Sequence, residues 1–133
     1  MPYTSFIILA WNSAAHLPRC LASLSAQTTQ DFEIIIIDNG SADDATVALE
    51  EKYPQLTLRV ERLASNLGFA VANNMGARLA RGEWLALLNA DAFPEPNWLE
   101  AMLAATQRPE PNDVAAASRR NKGRNRMFGD GKN

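Results

Sequence analysis

A chain of 133 residues with 47% hydrophobic and 21% charged residues is sized for one globular domain and apolar enough to bury a core. No apolar run approaches the roughly 20 residues of a membrane helix, the start MPYTSFIILAW lacks the basic region and cleavage site of a signal peptide, and one cysteine cannot form an intrachain disulfide. The net charge of −2 is split: residues 1–117 hold 7 Lys/Arg against 14 Asp/Glu, whereas residues 118–133 hold 6 against 1. These limits favour a cytoplasmic chain with a domain over 1–117 and a basic, mobile tail over 118–133, a solvated end with no nucleic-acid partner expected.

In chain order, TSFIILAW is a first strand. Leu17, Cys20, Leu21 and Leu24 then recur at helical spacing and predict an amphipathic helix over 15–26. His16 opens that helix on the solvent side, and Cys20 reads as a core residue rather than a nucleophile. FEIIIIDNGS is a second strand whose four consecutive isoleucines call for burial on both faces, as in a parallel sheet covered by helices. Ser41 followed by Asp44 suits a helix start, and that helix is expected to run to about Tyr53, before Pro54. LTLRVERL alternates as a third strand near an edge. FAVANNMGARLA is a helix closed by Gly82 as its C′ residue, with Gly76 at a close helix-to-sheet contact and Asn74 toward the rim. Trp84–Leu88 begins a fourth buried strand, Pro96 starts a helix with Trp98, Leu99, Met102 and Leu103 on its apolar face, and VAAA is a short fifth strand. The alternation predicts an α/β fold: a doubly wound, largely parallel sheet with helices on both faces.

Ligands of such sheets bind outside the carboxyl ends of the strands. Three strands end there in polar groups: Trp11-Asn12-Ser13, Asp38-Asn39-Gly40-Ser41 and Asn89-Ala90-Asp91. Asp38 is either an Asx-turn residue or an acceptor for a ligand N–H such as a uracil or thymine imide. Asp91 is either a turn residue before Pro94 or a ligand for a hard divalent cation, since Mg²⁺ takes one or two carboxylates and completes its shell with water and substrate phosphates. Asn89 adds an amide contact, and Ala90 keeps the approach open. No dinucleotide, P-loop, zinc or serine-hydrolase motif is present. A receiver-type signalling domain would want a lysine near the last strand, and VAAASRR offers none convincingly.

SFIILAWNSAAHLPRCLASLSAQTTQDFEIIIIDNGSADDAT, followed by SNLGFAVANNMGARLARGEWLALLNADAFPEPNWLE, closely resembles the family 2 glycosyltransferases of the GT-A fold. It is nearest the rhamnosyltransferase-like enzymes of bacterial surface-polysaccharide synthesis. The resemblance covers residues 4 to about 117. It implies that Ala10, Trp11 and Asn12 line a nucleotide pocket with Asn39 beside them, and that Asp38 meets the base. Gly68 and Asn74 fall on an N-x-G…N-x-G segment flanking the donor, and Asn89-Ala90-Asp91 holds the D-x-D position with Asp91 as the metal ligand. A divalent cation (Mg²⁺ or Mn²⁺), a nucleoside-diphosphate sugar donor, a hydroxyl acceptor on a glycan or lipid-linked glycan, and a place at the inner face of the membrane are implied with it. The D-x-D motif starts with Asn89 here. No residue of the chain matches the family's catalytic base, so the chain reads as truncated before the acceptor half, with a sheet edge open to self-association. The alternative is a nucleotide-binding fragment that transfers nothing.

Overall fold

The computed structural model describes residues 3–107 together with the strands at 118–119 and 126–128. Its elements alternate: β1 (Thr4–Ala10), α1 (Leu17–Ser25), β2 (Phe32–Asp38), α2 (Leu49–Lys52), β3 (Leu58–Arg62), α3 (Phe69–Leu79), β4 (Trp84–Asn89) and α4 (Trp98–Thr106), then β5 (Ser118–Arg119) and β6 (Arg126–Phe128). The sheet order is β3-β2-β1-β4-β6-β5, parallel throughout except for β5 against β6. The VAAA segment lies outside the described residues, as does most of the tail expected to be mobile.

Side chains alternate across each strand, so β1 and β2 feed two apolar layers. Phe6, Ile8, Ile34 and Ile36 join Leu17, Cys20, Leu21 and Leu24 of α1 and Trp98 and Leu99 of α4 in the larger cluster. Phe6 meets the Phe32 ring edge-on at 5.1 Å. Ile35 and Ile37 pack with Ala72 of α3 on the other face. The isoleucine run therefore serves both layers, and each fully buried side chain contributes about 1.5–3 kcal/mol as an upper estimate. Gly76 lets α3 lie against β1, as its spacing suggested: a Cβ there would stand 2.5 Å from Ile7 Cγ2.

Two local expectations are corrected. The helix predicted from Ser41 to Tyr53 shrinks to four residues, Leu49–Lys52, preceded by turns. The Ser41 hydroxyl and the Asp43 carboxylate beside it are used elsewhere: the Asn12 N–H donates to Ser41 Oγ at 3.0 Å and the Ala14 N–H to Asp43 Oδ2 at 3.1 Å. These tertiary bonds tie residues 41–43 to the segment after β1 and outcompete a local cap. Gly82 is not the C′ residue either, because α3 ends at Leu79 with Ala80 as an extended C-cap. Gly82 is small for β1: its N–H donates to Ser5 Oγ at 2.8 Å, and a Cβ would lie 2.7 Å from the Ser5 nitrogen.

The chain runs outward from β1 through β2 to β3, then returns by α3 to place β4 on the other side of β1. The strand order thus reverses between β1 and β4. Ligands of open α/β sheets bind outside the carboxyl ends of the strands at such a switch point.

Candidate functional site

A cavity of about 370 Å³ lies at that switch point, lined by Leu9, Trp11, Asn12, Ser13, His16, Asn89, Ala90 and Asp91. All come from the carboxyl ends of β1 and β4 and the loops that follow. The volume falls within the usual range for small-molecule sites.

The β1 wall is set by backbone geometry. Trp11 donates its N–H to Ser13 Oγ at 3.0 Å, and the Ser13 hydroxyl returns a bond to the Trp11 carbonyl at 3.2 Å. Asn12 takes a left-handed conformation with φ 49°, which asparagine tolerates better than most residues. Its Oδ1 accepts the Ala42 N–H at 2.7 Å, closing the wall against the β2 loop. The Trp11 indole is left 56% exposed, an apolar plate on the rim.

The β4 wall is held from below by α1. The Ala92 N–H turns back to the Asn89 carbonyl at 3.0 Å. Buried Gln27 donates to the Glu95 carbonyl at 2.7 Å and accepts the Leu99 N–H at 3.0 Å, stitching the loop to the start of α4. The Arg19 guanidinium stacks 4.2 Å from the Phe93 ring centroid. Between these anchors Asp91 is exposed, with no hydrogen bond or ion pair from its carboxylate to any described residue. Cys20 sits beneath it as a core residue: burial, aided by the Asp91 charge, pushes its thiol up to about 12, far from a reactive thiolate.

Asp38 is arranged in the opposite way. It is 5% exposed, and its carboxylate accepts the Ser41 N–H at 2.9 Å and the Thr46 hydroxyl. Burial alone would raise its pKa; the hydrogen bonds from Ser41 and Thr46, with the Arg62 charge, outweigh burial and hold it below the ordinary carboxylate value. Its contribution to stability is therefore complete above about pH 3.9 and is lost as pH falls through the lowered folded value. Thermal midpoints followed from pH 6 down to about 2.5 should drop most steeply below about 4, and Asp38→Asn should flatten that limb. An unchanged slope in the variant would show that the clasp around Asp38 stores no such energy.

Of the residues singled out in the sequence, Trp11, Asn12, Asn89 and Asp91 meet in the cavity. Ala10 is buried in β1 just before it. Asp38 and Asn39 end the neighbouring strand, where Asn39 Oδ1 accepts the Leu67 N–H at 2.8 Å and its amide donates to the Gly68 carbonyl at 3.4 Å. Gly68 caps α3, and Asn74 is exposed on α3 outside the cavity lining. His16, read from the sequence as a solvent-side residue, is exposed but also lines the cavity. The signal was its position: a helix after a parallel strand begins at the carboxyl rim, so its N-cap residue stands there.

The cavity combines one free carboxylate, two asparagines and an exposed indole. The sequence model for glycosyl transferase family 2 matches residues 5–131. The chain belongs to glycosyl transferase family 2. This family 2 chain is 36% identical over 103 residues to the succinoglycan biosynthesis protein ExoO of Rhizobium meliloti (strain 1021), covering 77% of this chain and 29% of that protein. Chondroitin synthase of Escherichia coli is 36% identical over 104 residues, covering 77% of this chain and 15% of the synthase. The structure of S. aureus TarS 1-349 in complex with UDP-GlcNAc superposes with a TM-score of 0.72 at 28% identity, covering 80% of this chain and 31% of TarS. The chain thus spans less than a third of each of these proteins, and the shared part is the GT-A α/β fold.

Proposed function

We propose that residues 3–107 bind a nucleoside-diphosphate sugar with a divalent cation, as the donor half of an inverting transfer to a hydroxyl acceptor in bacterial polysaccharide synthesis. The observation that carries this reading is Asp91: an exposed carboxylate at the mouth of a buried strand, in a cavity, that folding does not use. The oxygen donors of Asp91 and Asn89 suit a hard cation that takes its other ligands from water and a diphosphate. Among the described residues no cluster of three His, Cys, Asp or Glu side chains converges, so substrate oxygens must complete the shell.

Asp91 and Asn89 would hold Mg²⁺ or Mn²⁺. Such a cation, when bound, acts as a Lewis acid that stabilises the departing nucleoside diphosphate. Trp11 offers a plate for the nucleobase and Asn12 lines the same wall. Asp38 lies outside the cavity lining and is 5% exposed; it keeps two acceptor sites after Ser41 and Thr46 are served, and a nucleobase imide N–H would meet it only where the base extends past the lining to the end of β2. Gly68 and Asn74, which the family resemblance sets beside the donor, lie at the start and on the exposed side of α3 outside the cavity lining. The acceptor hydroxyl attacks the anomeric carbon from the side opposite the diphosphate, and the base that takes its proton comes from outside the described residues. Among the described residues no helix is long and apolar enough to cross a membrane.

Calorimetric titration of the full chain with UDP tests the reading. Saturable binding with Mn²⁺ or Mg²⁺, abolished by EDTA, is expected; heats indifferent to both nucleotide and metal would refute it. Turnover of a UDP-sugar in the presence of a glycan acceptor would show that the chain also carries its own base.

A further inference from the structure

His16 is the chain's single histidine, exposed at the N-cap of α1 and part of the cavity lining. Its imidazole neither caps the helix nor hydrogen-bonds any described residue, so folding commits neither ring nitrogen.

Contacts on two sides fix where that ring stands. Cys20, one turn further along the same face of α1, donates its S–H to the Asn89 carbonyl at 3.9 Å and feels the Asp91 charge. On the other side the His16 ring lies 6.3 Å from the ring of Phe93, two residues beyond Asp91. Phe93 is itself held by Arg19, whose guanidinium covers the ring at 4.2 Å and stays out of the cavity lining. The first turn of α1 is thereby packed against the chain on both sides of Asp91, and His16 opens into the same cavity as that carboxylate.

The chemistry of the lining sets His16 apart. Asp91, Asn89, Asn12 and Ser13 can approach a cation only through oxygen, and the Trp11 indole N–H is a donor with no lone pair to give. Neutral imidazole adds a nitrogen lone pair that none of these supplies. Mg²⁺ favours oxygen ligands and gives up water reluctantly, whereas imidazole nitrogen suits first-row transition metals.

Resting on the donor reading above, we infer that His16 is a nitrogen ligand beside Asp91, one that shifts the preference of the site from Mg²⁺ toward transition-metal cations such as Co²⁺ and Mn²⁺. Asp91 supplies the charge that attracts any divalent cation. His16 supplies the discrimination among them.

The test uses the full chain, without a polyhistidine tag, saturated with UDP. Pulsed EPR of the Mn²⁺ complex should show coupling to an imidazole nitrogen, altered when the chain is grown with isotopically labelled histidine. With one histidine in the sequence, that signal has a single source. In calorimetric titrations His16→Gln should weaken Co²⁺ binding by about 10-fold or more and Mg²⁺ binding by less than about 3-fold. Its melting temperature should stay within about 2 °C of the wild type, since the exposed ring makes no bond that folding uses. His16→Asp, which returns an oxygen ligand at the same position, should favour Mg²⁺ over Co²⁺ relative to the wild type. A merely structural role would weaken both cations alike. Absence of histidine nitrogen coupling, or a Co²⁺-to-Mg²⁺ ratio unchanged in the variants, overturns the inference and leaves donor binding standing. The isotope comparison is made on the wild type, so it decides even where a substitution disturbs the fold. A wild-type chain that binds no UDP with any of these cations overturns the donor reading and this inference together.

Discussion

Gly40→Ala should lower stability by about 2–5 kcal/mol. Two costs add. Gly40 has φ 79°, and an alanine forced into that region loses about 1–2 kcal/mol. Its Cβ would also stand 2.6 Å from the Ser65 carbonyl carbon and 2.7 Å from the Asn66 nitrogen. Both are backbone atoms and cannot rotate aside, so the β2 loop or the loop before α3 must shift, at a cost of about 1–3 kcal/mol. Gly68→Ala separates the two costs, since Gly68 has φ 89° but a methyl group added there would meet no atom within 4 Å. It should lose only the conformational part, about 1–3 kcal/mol. With a shift of several degrees per kcal/mol in a domain of this size, melting should fall by roughly 10–20 °C for Gly40→Ala and by clearly less for Gly68→Ala. Equal midpoints for the two variants would mean that the contact with Ser65 and Asn66 is not tight.

The same loop shows how far the sequence can be read. Four isoleucines in succession have one comfortable environment, a strand covered on both faces, so β2 and the parallel sheet were legible from composition alone. The period of Leu17, Cys20, Leu21 and Leu24 marked α1 equally well, because burial there is decided within one element. Residues 41–46 were not legible. Ser41 and Asp44 have the spacing of a helix cap, but Ser41 and Asp43 receive N–H groups from Asn12 and Ala14, 29 residues earlier. Local propensity cannot register partners that only the folded sheet brings near. Gly82 was misread for a related reason: a glycine after a helix fits a cap and a close crossing equally well, and only the position of Ser5 decides.

Within the site, Trp11, Asn12, Asn89 and Asp91 were accessible because parallel strands put all their carboxyl ends on one rim. The Arg62–Thr46–Asp38 chain was not, since it joins β3 to a loop 16 residues earlier through side chains without a motif of their own. The two aspartates at strand ends look alike in sequence. Their surroundings separate them: Asp38 is enclosed by donors from its own loop, whereas Asp91 faces open space.

That difference sets the last expected result: Asp91→Ala should cost metal-dependent UDP binding about 100-fold or more, or some 2.7 kcal/mol, while leaving the melting temperature within about 2 °C. The stability half follows from the absence of any hydrogen bond or ion pair between the Asp91 carboxylate and the described residues, so folding gains nothing from it. The surrounding loop is held instead by Gln27 and by the turn from Asn89 to Ala92, which the substitution leaves intact. The affinity half follows from charge. The Asp91 carboxylate and a diphosphate are both negative, and a divalent cation offsets the two together; without the carboxylate, the other groups of the lining hold the cation far less well against water. Asp91→Asn keeps the shape and removes the charge, so it should behave like Asp91→Ala if the cation is the ligand, and like the wild type if the side chain merely donates or accepts a hydrogen bond. Titration of each variant with UDP in Mn²⁺ and again in EDTA gives the answer. The wild type should lose affinity on chelation and both variants should be indifferent to it, whereas a variant that still responds to Mn²⁺ would place the cation elsewhere.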